Sequence, residues 1–110
     1  MGKAKNKSQD KVVAKVESAM AKYQKDHPQA EVVVLGTVPA AIRVRIIDQD
    51  FSNMTSVDRH ILVWKYFDRM TDADLMQLGL VKLMTPDEAK RPWGDATFFP
   101  DKDELELMLG

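Results

Sequence analysis

The sequence predicts an α+β fold in which a small three-stranded mixed sheet carries two long amphipathic helices on one face. Three observations predict it. Apolar residues recur at three- and four-residue spacing in two stretches, near 8–26 and 55–70. Between them lie two short β-branched runs, 31–35 and 42–47, separated by a segment with Gly36 and Pro39. A third apolar run, 80–84, follows the second helix. The order helix, strand, strand, helix, short helix, strand, helix leaves the two long helices to cover one sheet face.

In the first helix Ser8 stands at the capping position, and Val12, Val13, Val16, Ala19, Met20 and Tyr23 share a face. Most of its lysines fall opposite. His27-Pro28 stops it near Asp26, because a residue before proline is pushed out of helical geometry. His27 is expected there as a solvated helix-end residue rather than a ligand. The two β-branched runs, joined by about five residues containing Gly and Pro, predict an antiparallel hairpin. Ile42, Val44 and Ile46 then face one way, and Arg43 and Arg45 the other. An arginine pair on an open sheet face either contacts phosphate or serves as a charged, aggregation-resistant surface. The Gly36 loop has no second glycine three residues on, so it is a turn, neither a phosphate cradle nor a G-x-x-G loop.

A turn of Asp48, Gln49, Asp50, Ser52 and Asn53 leads to Thr55, the expected N-cap of the second long helix, with Asp58 as its reciprocal capping partner. At about 100° per residue, Val57, His60, Ile61, Val63, Trp64, Phe67 and Met70 form one face. Asp58, Lys65, Tyr66 and Arg69 form the other. This predicts a core helix with a solvated back. His60 is directed inward as a structural residue, bonded near 48–53, and Arg59 points to solvent. Thr71 to Asp74 repeats the capping pattern and predicts a short helix from Asp72 to about Gln77, ended near Gly79. Thr85-Pro86-Asp87-Glu88 is the strongest local signal: N-cap, proline in the first turn, glutamate at the third helical position. That helix is brief, since Pro92 and Gly94 follow. The domain is expected over 10–92, with a flexible basic segment at 1–9. A tail over 93–110 is packed on the domain or partly flexible, pinned by Trp93, Phe98 and Phe99. Leu105 and 107–109 form a last turn or strand, or a partner-docking tail.

Composition narrows the function. With 110 residues, 45% hydrophobic and 30% charged, the chain has the make-up of one globular domain. Its formal net charge of −1 provides no global field for nucleic acid. Lysines 3, 5, 7, 11, 15, 22 and 25 outweigh Asp10 and Glu17, while Asp101, Asp103, Glu104 and Glu106 outweigh Lys102. A basic head and acidic tail ordinarily keep termini solvated. There are no cysteines, which removes disulfides, thiolate chemistry and a self-contained iron–sulfur site. No apolar run approaches the roughly 18 residues of a membrane span, and the head lacks the apolar core of a signal peptide. The expectation is a cytoplasmic monomer without membrane contact. Two histidines, no cysteine and no G-x-S-x-G elbow leave nothing for nucleophilic catalysis, and the aspartates occupy turns and caps for backbone reasons. No enzyme, cofactor or metal site is expected.

The stretch from Asp48 to Pro86 also resembles the BolA-like family. The family pattern of an aspartate and a phenylalanine ahead of a turn glycine, a few polar residues, R-H before an amphipathic helix, an apolar strand, and T-P-x-E stands here as Asp50-Phe51-Ser52-Asn53, Arg59-His60, 78–84, and Thr85-Pro86-Asp87-Glu88. It covers roughly residues 10 to 90. The resemblance implies the α-β-β-α-α-β-α fold, close in shape to class II KH domains, and a monothiol glutaredoxin as partner. The family's glycine is Asn53, the next-best residue for a left-handed turn. The family's histidine before the last strand falls on Met76, or on Gln77 if the register slips. The loop 36–41 holds no His or Cys to act with it. A thioether does not replace imidazole or thiolate on ferric iron, so the resemblance implies the partner without the shared cluster. The leading expectation is a regulatory or adaptor domain acting by protein–protein contact. A KH-like nucleic-acid module or transcriptional regulator, weak and nonspecific, is the alternative, and a structural accessory domain of a larger assembly is a third. Arg43, Arg45, Arg59 and His60 are the candidate partner- or nucleic-acid-binding residues.

Overall fold

The computed structural model describes residues 7–36 and 42–91. The element order is α1 (Lys7–Asp26), β1 (Glu31–Leu35), β2 (Ile42–Ile47), α2 (Ser56–Trp64), α3 (Asp72–Leu75), β3 (Leu78–Met84) and α4 (Pro86–Ala89). One 3-10 turn, Gln49–Phe51, follows β2, and another, Lys65–Phe67, continues α2. The expectations for the chain ends and for the loop centre at 37–41 lie outside the described residues.

β2 is the central strand. It pairs antiparallel with β1, Val33 opposite Arg45, and parallel with β3, Val44 beside Val81. A parallel pair requires a crossover of a dozen residues or more, and residues 48–77 supply it. Alternation along β2 puts Ile42, Val44 and Ile46 on the helix-covered face, each without exposed surface. Val12, Val16, Met20 and Tyr23 of α1 pack on that face with Phe51, Val63 and Phe67. Gly36 ends β1 where α1 passes close: a Cβ there would stand 2.5 Å from Val13 Cγ2. Val13 is branched at Cβ and half-buried, so it cannot swing aside freely.

Caps set the element boundaries. Thr71 and Thr85 each accept from the backbone N–H three residues on, and Asp74 and Glu88 return the bond. Asn53 has φ 67°, the left-handed conformation of the turn before α2. Some details differ from expectation. α1 already includes Lys7, so Ser8 lies within the helix rather than at its cap. The α2 box is half made: Thr55 accepts from Asp58 N–H, without the reverse bond. α3 ends at Leu75, and Gly79 lies within β3. Pairing with β2, begun by the Ile42 N–H to Gln77 carbonyl bond of 2.9 Å, extends the strand back to Leu78.

The junction of α1 with the end of β2 is polar and buried. Asp48 is 1% exposed. Its Oδ2 accepts from the Tyr23 hydroxyl at 2.5 Å and its Oδ1 from Asp50 N–H at 2.9 Å, while its own N–H donates to the Met84 carbonyl. Beside it the Tyr66 hydroxyl donates to Asp26 at 2.6 Å, and the Tyr66 ring meets Tyr23 edge-on. Tyr66 therefore belongs to the packed side, not to a solvated back: the 3-10 turn after Trp64 shifts the helical phase.

Removing the Tyr23 hydroxyl leaves a buried carboxylate one donor short. Tyr23→Phe is expected to cost about 1–3 kcal/mol in a urea melt. Both tyrosines lose their protons less readily when folded. Burial and then the Asp48 bond raise Tyr23, and the Asp26 bond followed by burial pushes Tyr66 up to about 12. Their contribution to stability is whole below the unfolded value of 10.0 and is lost as pH rises through the folded values. A pH series of urea midpoints should fall between pH 10.0 and about 12, with a shallower fall in Tyr66→Phe.

Candidate functional site

The structure separates the four residues singled out in the sequence. Arg59 is not directed to solvent. Its side chain is 13% exposed and reaches back across the sheet edge to four acceptors. Nε donates to the Met54 carbonyl at 3.2 Å, and one terminal nitrogen to the Leu83 carbonyl at 3.2 Å and Glu88 Oε1 at 2.7 Å. The other terminal nitrogen donates to Glu88 Oε2 at 3.2 Å, and the guanidinium carbon lies 5.7 Å from the Phe51 ring centroid. Such a fork-to-fork pair uses the planar geometry that only arginine offers. Glu88 is the residue that closes the α4 capping box, so Arg59 joins α2, β3 and α4. Its guanidinium holds the Glu88 carboxyl below the usual carboxylate range, with help from Thr85 N–H.

His60 is not in the core either. It is half-buried, and its Nδ1 contacts the Ser56 carbonyl at 2.9 Å, one turn back on its own helix. Neither the 48–53 turn nor the Arg59 cluster holds it. Arg45 is buried rather than displayed on an open sheet face: its side chain is 9% exposed, with one terminal nitrogen 3.5 Å from Glu31 Oε1 on β1. Arg43 is half-buried on the same strand. On this sheet face Arg45 thus meets Glu31 across β1 and β2, which is the solvent-face reading with one side chain covered.

α2 is seated by Arg59 and by Val63, which is 1% exposed, with Phe67 at 2% in the following turn. That seating rotates the rest of the expected core face outward. Val57 is 67% exposed, Ile61 54% and Trp64 38%. At spacings of four and three they form one apolar ridge, with His60 beside it. The Trp64 ring is steadied by an edge-on contact with Phe67 at 5.2 Å. The ridge was hidden in the sequence by its own periodicity: seven apolar-face positions fit one helix, but the sheet offers area for fewer. Met76, one of the two positions on which the resemblance places the family's histidine, is 85% exposed just after α3.

His27 is the other residue the sequence placed wrongly. Its side chain is 16% exposed, and its ring stacks on Tyr23 with centroids 4.2 Å apart and planes 11° from parallel. Nδ1 lies 2.8 Å from Asp50 Oδ2 and 3.3 Å from Asp48 Oδ2. Only chain folding brings position 27 to positions 48 and 50; no local signal marks the meeting.

No protein-family model matches the chain, and no curated protein matches it. Among solved structures it is similar to BolA1 from Arabidopsis thaliana, with a TM-score of 0.50 and 23% sequence identity over 67% of this chain and 94% of that one. The fold is BolA-like. The helix-covered mixed sheet, the left-handed Asn53 and the Thr85–Glu88 box all occupy the places that the resemblance implied.

Arg59→Ala is expected to lower stability by about 2–3 kcal/mol, since it strands a partly buried carboxylate and two carbonyls. Arg59→Lys recovers only part, because an ammonium cannot fork. His60→Gln should shift a denaturant melt by less than about 0.5 kcal/mol. Because Glu88 is depressed when folded, its contribution is present above the unfolded value of 4.5 and is lost as pH falls through the folded one. The parent should therefore lose stability in acid more steeply than Glu88→Gln.

Proposed function

We propose that this chain is a non-enzymatic, BolA-like adaptor or regulatory domain that acts by docking a protein partner on the exposed ridge of α2. The partner class that the family resemblance favours is a monothiol glutaredoxin, met by surface contact. The observation that carries the reading is the ridge itself: Val57, Ile61 and Trp64 stand exposed on a helix anchored from behind by Val63 and Arg59. An exposed tryptophan on a rigid helix is the kind of anchor that dominates protein interfaces, and the two branched aliphatics beside it extend the apolar area around it. The absence of cysteine from the chain, and Met76 or Gln77 at the family's histidine position, favour a contact that involves no cluster ligand from this domain.

A phosphate-reading role would draw on Arg43, Arg45 and Arg59. Two of these are turned to internal work, Arg45 toward Glu31 and Arg59 toward Glu88, which weighs toward protein rather than nucleic acid. A reader of phosphate would also show an affinity that falls steeply with salt.

Calorimetry of the full chain against a monothiol glutaredoxin tests the reading. Ile61→Asp is expected to weaken binding by at least about tenfold while leaving the thermal midpoint within a few degrees, because Ile61 is already solvated. Equal affinity for parent and variant would remove the ridge from the interface. Binding to duplex or single-stranded nucleic acid that is tighter than to the protein, and strongly salt-dependent, would favour the other class.

A further inference from the structure

Where α1 and β2 end side by side, an imidazole and two carboxylates converge. His27 Nδ1 lies 2.8 Å from Asp50 Oδ2 and 3.3 Å from Asp48 Oδ2, and one ligand atom from each residue lies within 4.8 Å of the other two. A first-row divalent cation holds nitrogen and oxygen ligands at about 2.0–2.2 Å, so neighbouring ligand atoms around it stand about 3 Å apart. The two measured separations bracket that spacing. We propose that His27, Asp48 and Asp50 form a binding site for a first-row divalent metal ion of the zinc, cobalt or manganese type.

The site differs from a solvated group of surface carboxylates. The residue at its base, Asp48, is 1% exposed, and its orientation is fixed on both oxygens, by Tyr23 on Oδ2 and by Asp50 N–H on Oδ1. The imidazole plane is fixed separately, by stacking on the same Tyr23 ring at 4.2 Å. One tyrosine thus orients two of the three ligands from outside, the arrangement by which outer residues tune a metal centre. Access comes from the third: the Asp50 side chain is 48% exposed, which leaves an entry path and room for water ligands.

The donor set selects the cation. One nitrogen and two carboxylate oxygens suit zinc, manganese or cobalt, whereas magnesium and calcium prefer oxygen alone and monovalent copper prefers sulfur. Two carboxylates with a neutral imidazole balance a double positive charge. Without metal, the His27 ring is held between the two carboxylates by the same short contacts. The ion takes over those contacts and strengthens the link between the end of α1 and the 3-10 turn after β2.

Titration of the full metal-free chain with cobalt(II), read by visible absorption and calorimetry and repeated by zinc competition, tests the site. The expected result is one equivalent bound, with about tenfold or greater weakening in both His27→Gln and Asp50→Asn. Asp50 is half exposed, so Asp50→Asn should fold even if His27→Gln does not. As a check on the parent alone, manganese(II) should broaden amide resonances around residues 23–27 and 48–51 before any others. Absence of binding at millimolar cobalt and zinc would overturn the proposal. So would binding that is equally tight in both variants, or broadening centred elsewhere.

Discussion

The buried carboxylate of Asp48 is the constraint on which the rest of the fold depends. A charge removed from water must be met by donors, or its desolvation outweighs the packing around it. Asp48 meets it with groups from three places: the Tyr23 hydroxyl of α1, the Asp50 amide of the following turn, and the nearby His27 ring. Its backbone adds a fourth tie, through the Met84 carbonyl of β3. The first long helix, the central strand, the third strand and the turn toward α2 are therefore registered at one point. The apolar core supplies most of the favourable free energy, but apolar contact is non-directional. Directional bonds to Asp48 fix how α1 lies along the sheet.

Arg59 performs the corresponding task for α2 and α4. Its fork closes on a glutamate that is already used by the α4 capping box, so one carboxylate serves a helix start and a tertiary bridge together. Bidentate geometry and the added bonds to the Met54 and Leu83 carbonyls hold α2 at a defined rotation. That rotation has a functional consequence. It sends Val63 and Phe67 inward and leaves Val57, Ile61 and Trp64 exposed on a helix that cannot roll to bury them. A stability device on one side of α2 thereby preserves an apolar ridge on the other.

The two polar centres both border the 3-10 turn at Gln49–Phe51. Phe51, fully buried, contacts both: its ring is 6.4 Å from Tyr23 and 5.7 Å from the Arg59 guanidinium. Close packing transmits displacement between such neighbours, so the His27–Asp48–Asp50 corner and the seat of α2 are mechanically adjacent.

Local chemistry alone determined the elements of this chain. The caps at Thr55, Thr71 and Thr85, the left-handed Asn53, the proline that ends α1 and the alternation of β2 act over a few residues, and each appears where the sequence places it. What the sequence did not determine is the direction of side chains that had a choice of environment. Periodicity says that Val57, His60, Ile61 and Trp64 share a face with Val63 and Phe67; it does not say how much of that face the sheet can cover. Arg59 looked solvated because its partners, Leu83 and Glu88, lie more than twenty residues away. His27 looked like a solvated helix-end residue because Asp48 and Asp50 are brought to it only by the fold. Arg45 alternated outward as expected, yet is covered. Tertiary structure decided these cases, since burial and charge pairing depend on which distant groups the fold brings within a few ångströms.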